Sequence, residues 1–248
     1  MTRHQTTRFL GQLEQVAFLF GCCLLGACGS PSEQSAVEQG RQSFNSTTMS
    51  KSHSNYYSCA TCHDAEAGTP PSKKPGAALA GVTLRSTFWG GQEADLLGSV
   101  NACRRHFMGD SSPLSASDER ARSLYAYLVS LEPGDASSSP FTIVTDIDPL
   151  PRGEQGHGRV LFARACASCH GSMHDGLNRL GRTVPVLPEA TLVEHAEYSA
   201  RVQRLVFTEK IRHGLFLGYG GVMPPFSAEL LSDEDVSDLL EALGVIGE

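Results

Sequence analysis

Aromatic side chains are scarce, at 7% of the 248 residues. Basic charge is also short, with 20 Lys and Arg against 27 Asp and Glu and a net charge of −7. No basic stripe runs along the chain, so nucleic acid is not an expected partner. No apolar run reaches the length of a bilayer-spanning helix; the most apolar stretch, residues 16–27, is too short. A sustained alternation of apolar and polar residues is missing too, so strands are not expected and the pattern points to an all-α fold.

What is present, twice, is Cys-x-x-Cys-His. It occurs as Cys59-Ala60-Thr61-Cys62-His63 and as Cys166-Ala167-Ser168-Cys169-His170. This is the c-type haem attachment pattern. Two thiols on one helical turn reach the two vinyl groups of one porphyrin, and the next residue, His, falls beneath the iron as proximal ligand. Half a zinc site would want a second ligand pair, and no other Cys or His pair here has that spacing. A redox dithiol gives no reason for a His directly after the second Cys in both copies. The chain therefore implies two covalently attached c-type haems. Cys59, Cys62, Cys166 and Cys169 would attach them, and His63 and His170 would bind iron. Haem fills much of a small core, which accounts for the shortage of aromatic residues.

The first 27 residues read as an export signal, with Arg3 and Arg8 ahead of the apolar run. Leu25-Gly26-Ala27-Cys28 resembles the bacterial lipoprotein box. That resemblance implies lipidation of Cys28, a membrane anchor and an outer-membrane protein facing the periplasm or cell surface. Of the eight cysteines, Cys22 and Cys23 would leave with the signal, Cys28 would carry lipid and four would hold haem. Cys103 is left without a partner, which in an oxidising compartment calls for a role.

Residues 28–35 read as the lipidated Cys28 and a flexible polar tether, 36–133 as a first haem domain, 134–152 as a Ser- and Pro-rich linker and 153–248 as a second domain. Helices are expected over 92–105, 118–131, 153–166, 192–206, 208–213 and from Ser232 onward, with Ser115 or Ser117 capping the second. Residues 45–58 read as a surface loop. Pro75 in the first domain, and Pro185 or Pro188 in the second, are candidate carbonyl partners for the proximal histidines.

Gly40-Arg-Gln-Ser-Phe44 and Gly158-Arg-Val-Leu-Phe162 precede the two motifs, and Gly221-Val-Met-Pro-Pro-Phe226 precedes an amphipathic terminal segment. These features resemble class I cytochromes c. The resemblance implies two tandem class I-like domains, close helix crossing at each Gly and Met223 as distal ligand of the second haem. For the first haem two candidates stand. Met108 lies nine residues before Ser117, as Met223 lies nine before Ser232. Cys103 sits in Val100-Asn-Ala-Cys-Arg-Arg, a run similar to the N-terminal haem domain of thiosulfate dehydrogenases and to sulfur-oxidising cytochromes, where that Cys ligates iron. His106, His195 and His213 read as surface residues.

Two functions follow. One is a membrane-anchored dihaem cytochrome carrying electrons between periplasmic and membrane redox partner proteins. The other is a haem enzyme oxidising a sulfur anion such as thiosulfate at the first haem, with Cys103 as ligand and Arg104 or Arg105 holding the anion. Nothing resembles the calcium-linked loop of dihaem peroxidases.

Overall fold

The computed structural model describes residues 31–131, 133–218 and 221–246. The export signal, Cys28 and the Tyr219-Gly220 start of the Met segment lie outside the described residues. The fold is all-α. Among the described residues no strand forms, and an isolated bridge joins Phe88 and Glu93. The helices are α1 (Pro31–Asn45), α2 (Cys59–Cys62), α3 (Leu96–His106), α4 (Glu119–Ser130), α5 (Gln155–Ala165), α6 (Ala167–His170), α7 (Glu189–Glu194), α8 (Ala200–His213) and α9 (Asp233–Ala242).

The apolar positions gather into two separate cores. In the N-terminal half, Phe44, Met49, Val82, Met108, Leu114 and Leu124 are buried together. In the C-terminal half, Leu161, Phe162, Phe207, Ile211, Phe226 and Leu239 do the same. Each half closes by crossing its first long helix over its last, α1 over α4 and α5 over α9. Glycine permits both crossings. A Cβ at Gly40 would run into the Ser123 carbonyl, and one at Gly158 into the Asp238 carbonyl. Gly158→Ala should gain about 1 kcal/mol of helix propensity and lose more to overpacking, which typically costs about 1–3 kcal/mol. A lowered thermal midpoint is the expected result.

Several local expectations need correction. Helix α1 starts at Pro31, so residues 31–35 are helical rather than a loose tether. Asp118, not Ser115 or Ser117, occupies the N-cap of α4, and its carboxylate accepts the Ser115 N–H and hydroxyl. Helix α8 is continuous through Thr208, and Ser199 caps it by accepting the Val202 N–H at 3.4 Å. Ser232 caps α9 as read from the sequence, accepting the Asp235 N–H at 3.1 Å. Residues 45–58 are not merely a surface loop. Met49 is fully buried, and Ser50 and Lys51 bond to Met108 and Asp110 across the core.

Candidate functional site

Helix α2 is a single turn, which sets Cys59 and Cys62 on one side of the chain. The Ser58 N–H bonds the Thr61 hydroxyl at 3.1 Å and fixes the entry to this turn. His63 ends it, with its N–H on the Cys59 carbonyl at 2.9 Å. The His63 ring donates from Nδ1 to the Ala77 carbonyl at 2.8 Å. A carbonyl can only accept, so Nδ1 carries the hydrogen and Nε2 keeps its lone pair for a metal. Pro75 is therefore not the partner; the carbonyl comes two residues later. Gly76 lets the chain pass, since a Cβ there would overlap the His63 ring. Burial lowers the His63 pKa and favours the neutral ring that a ligand must be.

The second motif repeats the arrangement. His170 ends α6, is buried and donates from Nδ1 to the Pro185 carbonyl at 2.9 Å. Pro185 rather than Pro188 thus fills the role. Burial likewise lowers the His170 pKa. Met223 and Cys166 both pack against the second core. The loop carrying it is held from three sides. The Phe226 N–H bonds the Ile211 carbonyl at 3.0 Å. The buried Arg212 guanidinium bonds the Leu231 carbonyl at 2.6 Å and Asp233 at 2.7 Å. Gly214, at φ +77°, ends α8 where any Cβ would strike the Met223 carbonyl.

A cavity of about 380 Å³ lies over the first motif, walled mostly by the N-terminal half and also by Phe141, Pro224, Pro225 and Leu230. Cys59, Cys62, His63, Cys103, Met108 and Met49 all reach its wall. Both distal candidates therefore face one space with the motif's two cysteines and its histidine, whereas Arg105 does not line it. Cys103 is on α3, and Met108 follows the end of that helix. Because α4 is capped by Asp118, the equal spacing of Met108 and Met223 to a helix cap does not hold. Burial pushes the Cys103 thiol up to about 12, Cys59 to about 11 and Cys166 to about 12. A thiol–disulfide catalyst needs the opposite shift, so the geometry disfavours a redox dithiol.

Some contributors escaped the sequence reading. Met49 was hidden in a Ser- and Thr-rich run. Trp89 sits at φ +53° and stacks on Phe107 at a centroid distance of 5.9 Å, closing the cavity rim; the two glycines after it were the available signal. Tyr57 lines the same cavity and donates its hydroxyl to the Val222 carbonyl at 3.2 Å, beside Met223 of the other half. His195 is buried against Tyr198 and Phe216, not exposed. His213 is half-buried and spends its nitrogens on Glu209 and the Val144 carbonyl. Arg104 is buried, and its guanidinium is occupied by Met49, Asn101, Ser112 and Asp110. Four of its five N–H groups are thus engaged within the protein.

These residues fit a covalently held haem. An apolar cradle within the usual cofactor-pocket range of about 300–1,000 Å³ carries two thiols on one turn, a ring nitrogen with a free lone pair and a sulfur side chain. Residues 153–241 match the protein family described as Cytochrome C oxidase, cbb3-type, subunit III. No curated protein matches the chain. Among solved structures, the chain is similar to the thiosulfate dehydrogenase TsdBA of Marichromatium purpuratum in its as-isolated form, at 15% identity and a TM-score of 0.41. That similarity covers 88% of this chain and 47% of the other, so the chain spans about half the length of that protein. The family match covers about a third of the chain and supports a c-type cytochrome domain over residues 153–241.

Proposed function

We propose that the chain is a dihaem electron carrier built from two tandem class I-like cytochrome c domains, residues 36–133 and 153–248, joined by 134–152. Cys59 and Cys62 would hold the first haem and Cys166 and Cys169 the second. His63 and His170 would be proximal ligands, and Met108 and Met223 distal ligands. Lipid on Cys28 would keep the protein at the outer membrane, between periplasmic and membrane redox partners. No helix among the described residues is long and apolar enough to cross a membrane, so anchoring would fall to that lipid.

The observation that supports this reading is that the halves are fastened beside both motifs. Tyr57, two residues before Cys59, donates its hydroxyl to the Val222 carbonyl at 3.2 Å, and Arg164, two residues before Cys166, donates to the Pro71 carbonyl. Haems held on either side of these contacts would exchange single electrons without a mobile carrier. Each bound haem iron supplies a ferric–ferrous couple. His63 and His170, held by their Nδ1 hydrogen bonds, would orient it, and the two cores would keep water from it. With Met108 and Met223 as the further ligands, no substrate pocket would be required.

A second reading has one observation in its favour. Cys103 lines the first cavity, as a thiolate ligand in a sulfur-oxidising haem enzyme would. The engagement of four of the five Arg104 N–H groups within the protein counts against it. Replacing Cys103 with Ser separates the two. Under the electron-carrier reading the first haem stays low-spin and keeps the weak near-infrared band of Met ligation. Conversion to high spin would transfer the ligand role to Cys103 and call for a thiosulfate turnover assay.

A further inference from the structure

The loop after the first motif is fastened to the C-terminal half at two points. The Arg164 guanidinium donates to the Pro71 carbonyl. Lys73 Nζ donates to the Leu230 carbonyl at 2.7 Å and pairs with Asp235 at 3.1 Å. Arg164 lies two residues before Cys166, so the loop is tied close to the second motif. Lys74, the next residue, turns the other way. Its Nζ donates to the Ala60 carbonyl at 2.9 Å, inside the first motif, and to Asp64 at 2.8 Å, directly after His63. The Lys74 side chain is only 23% exposed, so solvent screens it incompletely. One ammonium group thus sits beside the first motif on a loop whose neighbouring residues, Pro71 and Lys73, are tied to the second half. Its charge lowers the Cys62 and Cys169 pKa values against the larger, raising effect of burial. The other cation near His63, Arg85, bonds the Ala78 and Asp135 carbonyls and serves the first half alone.

We propose that Lys74 is a positioning charge shared by both haem sites, favouring the reduced state of each. The proposal rests on the dihaem reading above. Reduction adds one electron to an iron, ferric to ferrous, with no bond made or broken, and lowers the positive charge of the site by one. A fixed cation nearby stabilises the reduced form by Coulomb's law, and Asp64 offsets part of that effect. Losing Lys74 lowers both potentials. Losing Asp64 raises them, most at the first haem, which it adjoins.

The test is potentiometric titration of the purified full-length haem protein with redox mediators. Lys74→Met should reduce the equilibrium constant for reduction about three- to tenfold at both haems, where tenfold is about 59 mV for a one-electron couple. Lys74→Arg should restore most of the loss. Asp64→Asn should shift the first haem in the opposite direction, and the double variant should return toward the parent. Unchanged potentials in Lys74→Met, a shift confined to the first haem, or a downward shift in Asp64→Asn would each overturn the shared role. A haem count below two in the parent protein would overturn the dihaem reading itself, and is measured separately by pyridine haemochrome.

Discussion

Under the proposed dihaem reading, replacing Cys59 and Cys62 together with Ala is expected to remove one of two haems and to unfold the N-terminal half. The first part follows from that reading, in which the two thiols of the α2 turn would be the thioether anchors. The second follows from magnitude. Leaving a void of about 380 Å³ costs about 9 kcal/mol at roughly 24 cal/mol per Å³, against a total stability of about 5–15 kcal/mol for a domain. Collapse of the walls recovers part of this, yet Phe44, Met49, Met108 and Leu124 would still lack their shared partner. Haem staining after denaturing electrophoresis should fall to half, and helical circular dichroism should drop. The matching Cys166→Ala/Cys169→Ala protein should lose the other haem and keep the first cavity's spectrum. Full haem content in either double variant would remove that motif from the site.

The single turns at the two motifs were legible because they are local. Cys-x-x-Cys-His needs only one turn of chain, and Ser232 with the apolar stripe of α9 needs only its own helix. The two glycine crossings were legible for another reason: the same pentapeptide spacing recurs before both motifs, and a helix contact that admits no Cβ leaves a trace in sequence. What stayed hidden depends on distant partners. Met49 reads as part of a polar loop because its neighbours are Ser and Thr; its burial comes from Met108 and Arg104, more than fifty residues away. His195 sits among charged neighbours and looks exposed, while Tyr198 and Phe216 fold over it. The partner of His63 shifted from Pro75 to Ala77 because the path of the proximal loop, not its proline content, decides which carbonyl faces the ring. The break between α7 and α8 went unseen for the same kind of reason, since the Ser199 cap competes with helix continuation in a way periodicity does not record.

Replacing Arg104 with Leu is expected to destabilise the protein by about 3–5 kcal/mol, the usual cost of breaking a buried ion pair from one side. Arg104 and Asp110 lie 2.6 Å apart, and both are almost wholly buried. The guanidinium also fastens the Met49 and Ser112 carbonyls at 2.7 and 2.6 Å. It therefore latches the segment on which Met108 is carried, as Arg212 latches the segment of Met223 onto the start of α9. Loss of the latch should loosen Met108 and give the first haem a partly high-spin spectrum. The pair also predicts a pH dependence. Burial raises the Asp110 pKa, but the Lys51 and Ser112 N–H groups and Arg104 outweigh it, so the carboxyl ionises below its ordinary value. A group with a lowered folded pKa stabilises fully above its unfolded value, about 3.9 for Asp. That stabilisation is lost as pH falls through the lower folded value. Asp110→Asn should accordingly be less stable at neutral pH and lose less on acidification than the parent. Parallel acid-unfolding curves for the two proteins would show that Asp110 does not titrate with folding. An Arg104→Leu protein of parental stability with an unchanged low-spin first haem would break the link between the buried pair and the distal ligand.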